Sequence, residues 1–177
     1  MSVLADLARP AGDDDVVGGV PARLVAEPVS TGEAAALVAA ARDLTVVVRG
    51  AGTKIHWGPP PRALDLIIDT RRLTGVVEHA AGDLITIVRA GTPLASLDLG
   101  DQVLALDGPA GATVGGTVAA NTSGPRRLHY GSARDLLIGI TVVRPDGRVA
   151  KSGGKVVKNV AGYDLGSCSP GRTGRSG

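Results

Sequence analysis

The sequence predicts an α/β fold with two lobes, the first built on parallel strands and the second more antiparallel. Apolar, β-branched runs recur along the chain between turn residues, which is typical of a protein with many short strands. In the first half, an alanine-rich helical pattern lies between two such runs, and this order indicates a parallel crossover. In the second half, two runs flank a Pro-Asp-Gly turn, which indicates an antiparallel hairpin.

The composition is that of a packed protein with an aliphatic core. Hydrophobic residues make up 44% of the 177 residues, but aromatic residues make up only 2%, and Phe is absent. The net charge of +2 is too small to indicate nucleic-acid binding. The single cysteine, Cys168, excludes an intramolecular disulfide and favours a reducing compartment. The sequence shows no signal-peptide pattern and no membrane span, so we expect a cytoplasmic protein.

The first predicted elements are a strand, a helix and a second strand, preceded by a loosely held leader over residues 1–20. The short run ARLVAEP predicts a strand that Pro28 closes. STGEAAALVAAARD predicts a helix, with Ser30 as its N-cap and Glu33 three residues later, in the spacing of a capping box. The run LTVVVRG is apolar and β-branched, which predicts a strand covered on both faces.

The remaining patterns complete the predicted order of elements. A loop over GAGTKIHWGPPP precedes a buried strand, LDLIIDT, and then two strands joined by a turn at Ala81–Asp83. Thr92 and Pro93 predict the start of a short helix, since proline is favoured in the first helical turn. QVLALDG predicts a strand, and LLIGITVVRPDGRVAKSGG predicts a hairpin that turns at residues 145–147.

A glycine-rich loop, Gly50–Lys54, directly follows a predicted strand, and we call it loop A. Small residues there let consecutive backbone N–H groups point at one anion, which suits phosphate. Thr53 adds a hydroxyl donor, and Arg49 or Lys54 could balance the charge. Neither the P-loop spacing nor the dinucleotide fingerprint is present. The alternative interpretation is an ordinary surface turn between strands.

A second glycine-rich segment, Gly108–Gly124, reads GPAGATVGGTVAANTSG, and we call it loop B. Thr113 is placed to cap a short helix over VGGTVAAN, which would leave N–H groups free for another phosphate oxygen. Gly115 and Gly116 would let a flat ring or a sugar lie against the backbone, and residues 121–123 would serve the polar edge of that ring. The alternative interpretation is that these small residues allow tight helix packing. Two such loops nevertheless favour a diphosphate ligand that carries a large flat ring system.

Three motifs in the same order carry a resemblance to a known family. RGAGTK, the run from PAGATVGG to RPDGRV, and SGGKVVKNVAGYDL closely resemble the FAD-binding domain of flavoproteins of the vanillyl-alcohol oxidase and p-cresol methylhydroxylase type. The last motif is most similar to that of the FAD-binding subunits of bacterial glycolate oxidases. The resemblance covers residues 21–165 and implies FAD between two α/β lobes, of which the second is incomplete. It also implies oxidation of a 2-hydroxy acid such as glycolate, with hydride passing to the flavin.

The resemblance assigns a set of cofactor-binding residues. Loop A would hold the pyrophosphate through its backbone N–H groups, and loop B with the following Tyr-Gly pair would line the flavin and phosphate side of the cleft. The implied residues are Arg49, Gly50, Ala51, Gly52, Thr53, Lys54, Pro109, Gly111, Thr113, Val114, Gly115, Gly116, Ala119, Asn121, Gly124, Tyr130 and Gly131. Ala51 replaces the commoner glycine, and we expect its methyl group to be tolerated.

No catalytic residue or metal site is assigned from the sequence. His56 lacks the usual context of a histidine that attaches FAD covalently, and His79 and His129 have no partner at a recognisable spacing. The resemblance does imply partner proteins, because electrons would leave through a complex with a second flavin subunit and an iron–sulfur subunit. Such a complex could hold a cytoplasmic chain at the periphery of the inner membrane. We expect no nucleic-acid partner.

Other interpretations are also compatible with parts of this sequence pattern. One is a different flavoenzyme of the same fold, such as a D-lactate dehydrogenase or a cell-wall enolpyruvyl reductase, although the KNVAGYDL motif disfavours the reductase. Another is a non-catalytic subunit that braces a complex and binds flavin weakly or not at all.

The final segment, SCSPGRTGRSG, does not follow the family pattern. With suitably chosen codons for a family-like KLFTGAYGTLG, deletion of one nucleotide reproduces this whole segment, so we expect a frameshift after Gly166. The alternative is a genuine flexible terminus. The expected division is a leader over 1–20, lobes over 21–100 and 101–166, and a tail over 167–177. A chain without the family's substrate domain is expected to retain FAD weakly and to aggregate.

Overall fold

The computed structural model describes residues 3–154. Its helices are α1 (Val3–Leu7), α2 (Thr31–Ala40), α3 (Val114–Ala119), α4 (Arg127–Tyr130) and α5 (Ala133–Leu136). Its strands are β1 (Ala8–Pro10), β2 (Val16–Val17), β3 (Val20–Pro21), β4 (Leu24–Ala26), β5 (Val46–Arg49), β6 (Leu66–Asp69), β7 (Val76–Ala80), β8 (Ile85–Val88), β9 (Gly139–Val143) and β10 (Val149–Gly153). Short 3-10 turns cover Thr70–Arg72, Ala81–Asp83 and Leu94–Ser96. The KVVKNVAGYDL motif, Cys168 and the predicted frameshifted tail lie outside the described residues.

A four-stranded sheet in the order β1-β4-β6-β5 forms the centre of the fold. β4, β6 and β5 are parallel, with Leu24 and Val46 both opposite Leu66, and β1 pairs antiparallel with β4. The parallel strand–helix–strand unit is therefore confirmed, with β6 inserted between the two strands that α2 connects. β6 is buried along its whole length, as its apolar run predicted.

Aliphatic clusters cover both faces of this sheet. One cluster contains Ala26, Leu37, Ala41, Leu66 and Ile68. The other contains Val17, Val25, Leu64 and Ile67. Because successive strand residues point to opposite faces, Leu66 and Ile68 contribute to one cluster and Ile67 to the other. The fully buried Leu37 brings α2 onto the sheet and confirms the predicted aliphatic core.

The N-terminus of α2 is capped as predicted, with one difference. Ser30 Oγ accepts a hydrogen bond from the Glu33 N–H at 3.1 Å. The Glu33 carboxylate accepts at 2.9 Å from the N–H of Val29, one residue before the position that a capping box would use. Both bonds satisfy backbone donors at the point where the chain enters the helix.

The expectation of a loosely held leader is wrong. α1 packs against α2, and β1 extends the central sheet beside β4. Val17 joins the core, and Asp15 is buried. The acidic run GDDD suggested exposure to solvent, and Asp13 and Asp14 are indeed exposed, but Asp15 is held inside by ion pairs with two arginines.

The expectation that β5 is covered on both faces is also wrong. β5 is an edge strand of the sheet, and 64% of Val48 is exposed. An apolar run such as VVVR has the same local preference for a strand at the edge or the centre of a sheet, and pairing with β6 decides its place.

Two predicted hairpins are confirmed, and two predictions between them are wrong. β7 pairs with β8 across the Ala81–Asp83 turn, and β9 pairs with β10 across residues 145–147. Residues 102–108 form no strand and run as irregular chain. The predicted helix at Thr92 and Pro93 is only a 3-10 turn at Leu94–Ser96, which Pro93 precedes with an extended backbone.

The β9–β10 hairpin contacts the first predicted lobe through α2. Its turn places Gly147, with φ at +78°, so close to α2 that a Cβ there would lie 2.5 Å from Ala39 Cβ. The division of the chain at residues 20, 100 and 166 stays a prediction. Within residues 3–154, no helix combines the length and apolar character that crossing a membrane requires.

Candidate functional site

Loops A and B meet beside the carboxyl end of β5. Loop A follows β5 directly, and its first residue, Gly50, faces Thr113 of loop B. A Cβ built on Gly50 would lie only 2.5 Å from Thr113 Oγ1, so any larger residue would push the two loops apart. The structure therefore brings together the two segments that the sequence singled out.

The backbone N–H groups of loop A are unpaired within the described part of the chain. Ala51, Gly52 and Thr53 donate to no acceptor there, whereas the carbonyl of Gly52 accepts from Ile55 at 3.1 Å. Gly52 has φ at +72°, a conformation that side chains strain, which explains glycine at this position. Ala51, where the commoner residue is glycine, is exposed, so its methyl group meets no obstacle. Consecutive free donors on a short turn form a concave site for an anion.

Lys54 adds an available positive charge to loop A. Its side chain is half-buried and forms no ion pair or hydrogen bond with residues 3–154. Burial lowers the pKa of the Lys54 ammonium group from its ordinary value. Desolvation disfavours a charged group that has no partner, so an anionic ligand would relieve this cost. The charge-balancing role of Lys54 stays a prediction, and its unpaired side chain is compatible with it.

Arg49 is already paired within the protein, which disfavours the same role for it. Its Nη2 lies 3.0 Å from Asp15 Oδ1 and 3.0 Å from Asp69 Oδ2, and its Nε donates to Asp69 Oδ2 at 3.1 Å. The side chain is 14% exposed and already neutralised by two carboxylates. Arg49 thus anchors loop A to the protein and is not free to bind a ligand's charge.

Arg49 belongs to a six-residue ion cluster that the sequence did not reveal. Its members are Arg9, Asp15, Glu27, Arg49, Asp69 and Arg71. Burial raises the pKa of Asp69, but hydrogen bonds from Arg71 and Arg49 outweigh it, so that pKa lies below its ordinary value. Three positive and three negative groups leave the cluster neutral. It supports loop A without repelling an anion.

The N–H groups at the start of α3 are not free, which corrects the expectation for loop B. Val114 N donates to the carbonyl of Thr92 at 2.8 Å, and Gly115 N donates to the carbonyl of Ala90 at 2.8 Å. Gly116 N donates to Thr113 Oγ1 at 3.2 Å, so Thr113 caps the helix as predicted. These internal acceptors leave no donor in the first turn for a phosphate oxygen.

Close packing explains several glycines of loop B and its surroundings. A Cβ on Gly115 would lie 2.6 Å from Ala90 Cβ, and one on Gly124 would lie 2.6 Å from Asp107 Oδ2. The side of Gly115 that a ring was expected to contact is thus filled by the protein itself. Gly111 is different, because its φ is +78° and open space surrounds its missing Cβ. The packing alternative therefore accounts for Gly115 and Gly124 but not for Gly111.

An open cleft of about 410 Å³ lies along the first half of loop B. Leu94, Leu104, Leu106, Pro109, Gly111 and Arg126 are among its lining residues. Arg126 is held at its rim by Asp107, which accepts from the Arg126 N–H at 2.8 Å. The cleft brings Pro109 and Gly111 into one concave surface.

The remaining predicted residues lie on the exposed side of loop B and after it. Ala119 and Asn121 are exposed, and Asn121 has φ at +47°. Tyr130 is exposed and contacts His129 edge-to-face, with ring centroids 4.6 Å apart. Gly131 has φ at +85° and ends α4. Assignment of these residues to the cofactor stays a prediction.

Two threonine hydroxyls of loop B have no hydrogen-bond partner in the described part of the chain. They are Thr117 Oγ1, on a fully buried side chain, and Thr122 Oγ1. The three histidines are exposed, and residues 3–154 contain no cluster of side chains suited to a metal ion. The backbone donors of loop A and Lys54 are thus the unpaired groups that could hold a cofactor in the described residues.

Similarity to known proteins identifies that cofactor. Residues 22–153 match the family model described as FAD binding domain. Glycolate oxidase subunit GlcE from Escherichia coli is 38% identical over 127 residues, which cover 68% of this chain and 36% of that protein. A D-lactate dehydrogenase from Archaeoglobus fulgidus is 33% identical over 149 residues, covering 80% and 33%.

A solved structure shows the same fold. Glucooligosaccharide oxidase from Acremonium strictum superposes with a TM-score of 0.71 at 21% identity, over 86% of this chain and 36% of that one. The chain spans about a third of the length of these relatives. Because the family model matches most of its residues, and in the region that contains both loops, the chain belongs to the FAD binding domain family of the p-cresol methylhydroxylase type.

Proposed function

We propose that this chain holds FAD as part of a flavin-dependent oxidoreductase that oxidises a 2-hydroxy acid such as glycolate. The observation that carries the proposal is loop A, where three consecutive backbone N–H groups have no acceptor within residues 3–154. The half-buried, unpaired Lys54 lies on the same loop. Backbone donors and one ammonium group are a donor set that suits a pyrophosphate.

The two loops would contact different parts of the cofactor. Ala51, Gly52 and Thr53 would bind the pyrophosphate, and Lys54 would balance its charge. Loop B would contact the rest of the cofactor through its exposed residues and not through the N–H groups of α3, which are already used. Pro109 and Gly111, which line the open cleft, are the best placed of these.

Bound FAD would supply the two-electron acceptor that oxidation of a hydroxyl group requires. The chain's own residues would orient the cofactor and exclude water from its phosphates. No acid–base residue is assigned, because the side chains of His56, His79 and His129 are exposed and form no hydrogen bond or ion pair within the described residues.

The relatives favour the 2-hydroxy acid class of substrate. Glycolate and D-lactate, which appear in the names of two relatives, share a hydroxyl group next to a carboxylate. The name of GlcE as a subunit supports a complex, in which we infer a second flavin subunit and an iron–sulfur subunit as partners. We place that complex in the cytoplasm. A subunit that braces the complex without flavin is the alternative, and the unpaired donors of loop A disfavour it.

A charge-reversal pair tests the proposed site. FAD affinity is measured by quenching of flavin fluorescence for the full chain, for Lys54→Glu and for Lys151→Glu, an exposed lysine on β10 that receives the same charge change. We expect Lys54→Glu to weaken binding by about tenfold or more, because it places a negative charge beside the phosphates. Lys151→Glu is expected to change it less than about twofold. Equal affinities for the two variants, or a folded wild-type chain that binds no FAD, would refute the proposed site.

A further inference from the structure

Asp15 is a buried carboxylate outside the part of the chain that matches the family. The family match begins at residue 22, yet only 6% of Asp15 is exposed. Its Oδ2 accepts from the Gly12 N–H at 3.0 Å and from Arg9 at 3.0 Å. Its carbonyl accepts from the Ala22 N–H at 2.9 Å. Asp15 is thus fixed at both its backbone and its side chain.

The fixed carboxylate of Asp15 reaches the residue that begins loop A. Asp15 Oδ1 accepts from Arg49 Nη2 at 3.0 Å, and the same guanidinium group bonds to Asp69. The carbonyl of Arg49 accepts from Thr70 Oγ1 at 3.2 Å. Arg49 is therefore held on three sides, immediately before Gly50.

Beyond these bonds, two turn hydrogen bonds hold loop A, from the Ile55 N–H to the Gly52 carbonyl and from the Trp57 N–H to the Lys54 carbonyl. Loop A contains two glycines, which lose more conformational freedom on ordering than other residues. Its N–H groups at Ala51, Gly52 and Thr53 are unpaired within the described chain, so they do not fix its conformation. A loop that is ordered before its ligand arrives binds more tightly, because less entropy is lost on binding.

We propose that Asp15 is a positioning residue for the cofactor: acting through Arg49, it holds loop A in the conformation that leaves its N–H groups available to the FAD pyrophosphate. The N-terminal segment would then be part of the cofactor site. This inference rests on the proposed function, since it assumes that loop A binds FAD.

The sign of the effect separates positioning from simple electrostatics. Asp15→Asn removes a negative charge and leaves the ion cluster with a net charge of +1. If charge alone mattered, FAD would bind more tightly to this variant. If Asp15 positions loop A, FAD binds less tightly, because Arg49 loses one of its anchors.

The test compares the full-length wild-type chain with Asp15→Asn and with Asp14→Asn, which makes the same change at the exposed neighbouring residue. FAD affinity is measured at a temperature where circular dichroism shows all three chains fully folded. We expect Asp15→Asn to weaken FAD binding on the order of tenfold and Asp14→Asn to leave it within about twofold. Amide resonances of Gly50–Thr53 are expected to broaden in Asp15→Asn, with those of α2 unchanged.

A further variant covers the case in which Asp15→Asn does not fold. Arg49→Lys keeps the charge, but a single ammonium group cannot reproduce the planar fork that bridges Asp15 and Asp69, so we expect a similar loss of FAD affinity. Unchanged or tighter FAD binding by the folded variants overturns the positioning role. Broadening throughout the protein overturns it as well, because that shows a general loss of structure. A wild-type chain that binds no FAD refutes the proposed function itself.

Discussion

Gly50 is the residue at which loops A and B touch, and its missing side chain permits the contact. A Cβ at this position would lie 2.5 Å from Thr113 Oγ1, on a side chain that is buried and caps α3. The threonine cannot move aside without losing its bond to the Gly116 N–H. The close approach therefore depends on the absence of a single methyl group.

Gly50→Ala is expected to destabilise the fold by about 1–3 kcal/mol, the usual cost of adding a group to a packed contact. Gly58→Ala is the matched control, because no atom lies within 4 Å of the Cβ position there. Urea unfolding of both variants measures the free energy of unfolding. If the two variants are equally stable, the loops do not touch as described.

The lowered pKa of Asp15 makes the free energy of unfolding depend on pH. The hydrogen bond from Gly12, followed by those from Arg49 and Arg9, lowers the pKa of Asp15 from 3.8 to about 2 against the effect of burial. Since the folded-state pKa lies below the unfolded value, the stabilisation is fully present above about pH 4 and is lost as the pH falls toward 2.

The free energy of unfolding of wild type and Asp15→Asn, measured from about pH 6 down to about pH 2, tests this linkage. We expect the difference between them to be constant at the upper end and to shrink below about pH 4. The exposed Asp14→Asn serves as control and is expected to differ little from wild type throughout. A wild-type advantage that grows as the pH falls would contradict the assigned ion pairs.

At the scale of the residue, the sequence identified the glycines but not the reasons for all of them. The turn chemistry of loop A is local, so Gly50 and Gly52 could be predicted from their place after an apolar run. Position 115 requires glycine because its backbone packs against Ala90, which is distant in sequence. No local sequence pattern predicts that contact. Asp15 escaped prediction because runs of acids are usually solvated, and its burial depends on pairing with the distant Arg49 as well as with Arg9.

The N-cap of α2 is the clearest case of an element predicted from its sequence. Ser30, Glu33 and the alanines that follow form a local pattern, and the helix begins where they place it. Local patterns of this kind could not predict the order of the strands in the sheet. β5 lies at the edge because β6, which comes later in the chain, takes the central position between β4 and β5.

Ser30→Ala is expected to reduce stability by about 0.5–2 kcal/mol, because the Glu33 N–H loses its acceptor. Thr31→Ala provides a control at the next position, where the side chain is exposed and makes no hydrogen bond within residues 3–154; we expect a change below about 0.5 kcal/mol. Thermal unfolding of the two variants measures the difference. Equal stabilities would show that the cap contributes nothing to the fold.

Within loop B, the local sequence pattern correctly predicted the N-cap of α3 but wrongly predicted that its first N–H groups are free. Thr113 and the small residues after it predicted α3 correctly. The first-turn N–H groups of an isolated helix are free, but here the carbonyls of Ala90 and Thr92 accept two of them. Those carbonyls follow β8, so only the tertiary fold could reveal that these donors are used.

At the scale of the whole molecule, the described residues form a cofactor-binding scaffold in which three separate segments converge on loop A. The N-terminal segment supplies Asp15, the parallel sheet supplies Arg49 and Asp69, and loop B supplies Thr113. The chain spans about a third of the length of its relatives, and the substrate and partners assigned to it are proposals that rest on the family.

An NMR titration shows whether loop A of this chain binds FAD through its unpaired N–H groups. Uniformly ¹⁵N-labelled full chain is titrated with FAD while amide shifts are followed residue by residue. We expect the largest shifts at Ala51, Gly52 and Thr53, with small changes at Val114, Gly115 and Gly116, whose N–H groups already have acceptors. Saturable FAD binding that leaves the loop A amides unmoved, or no binding by the folded chain, would contradict this binding mode.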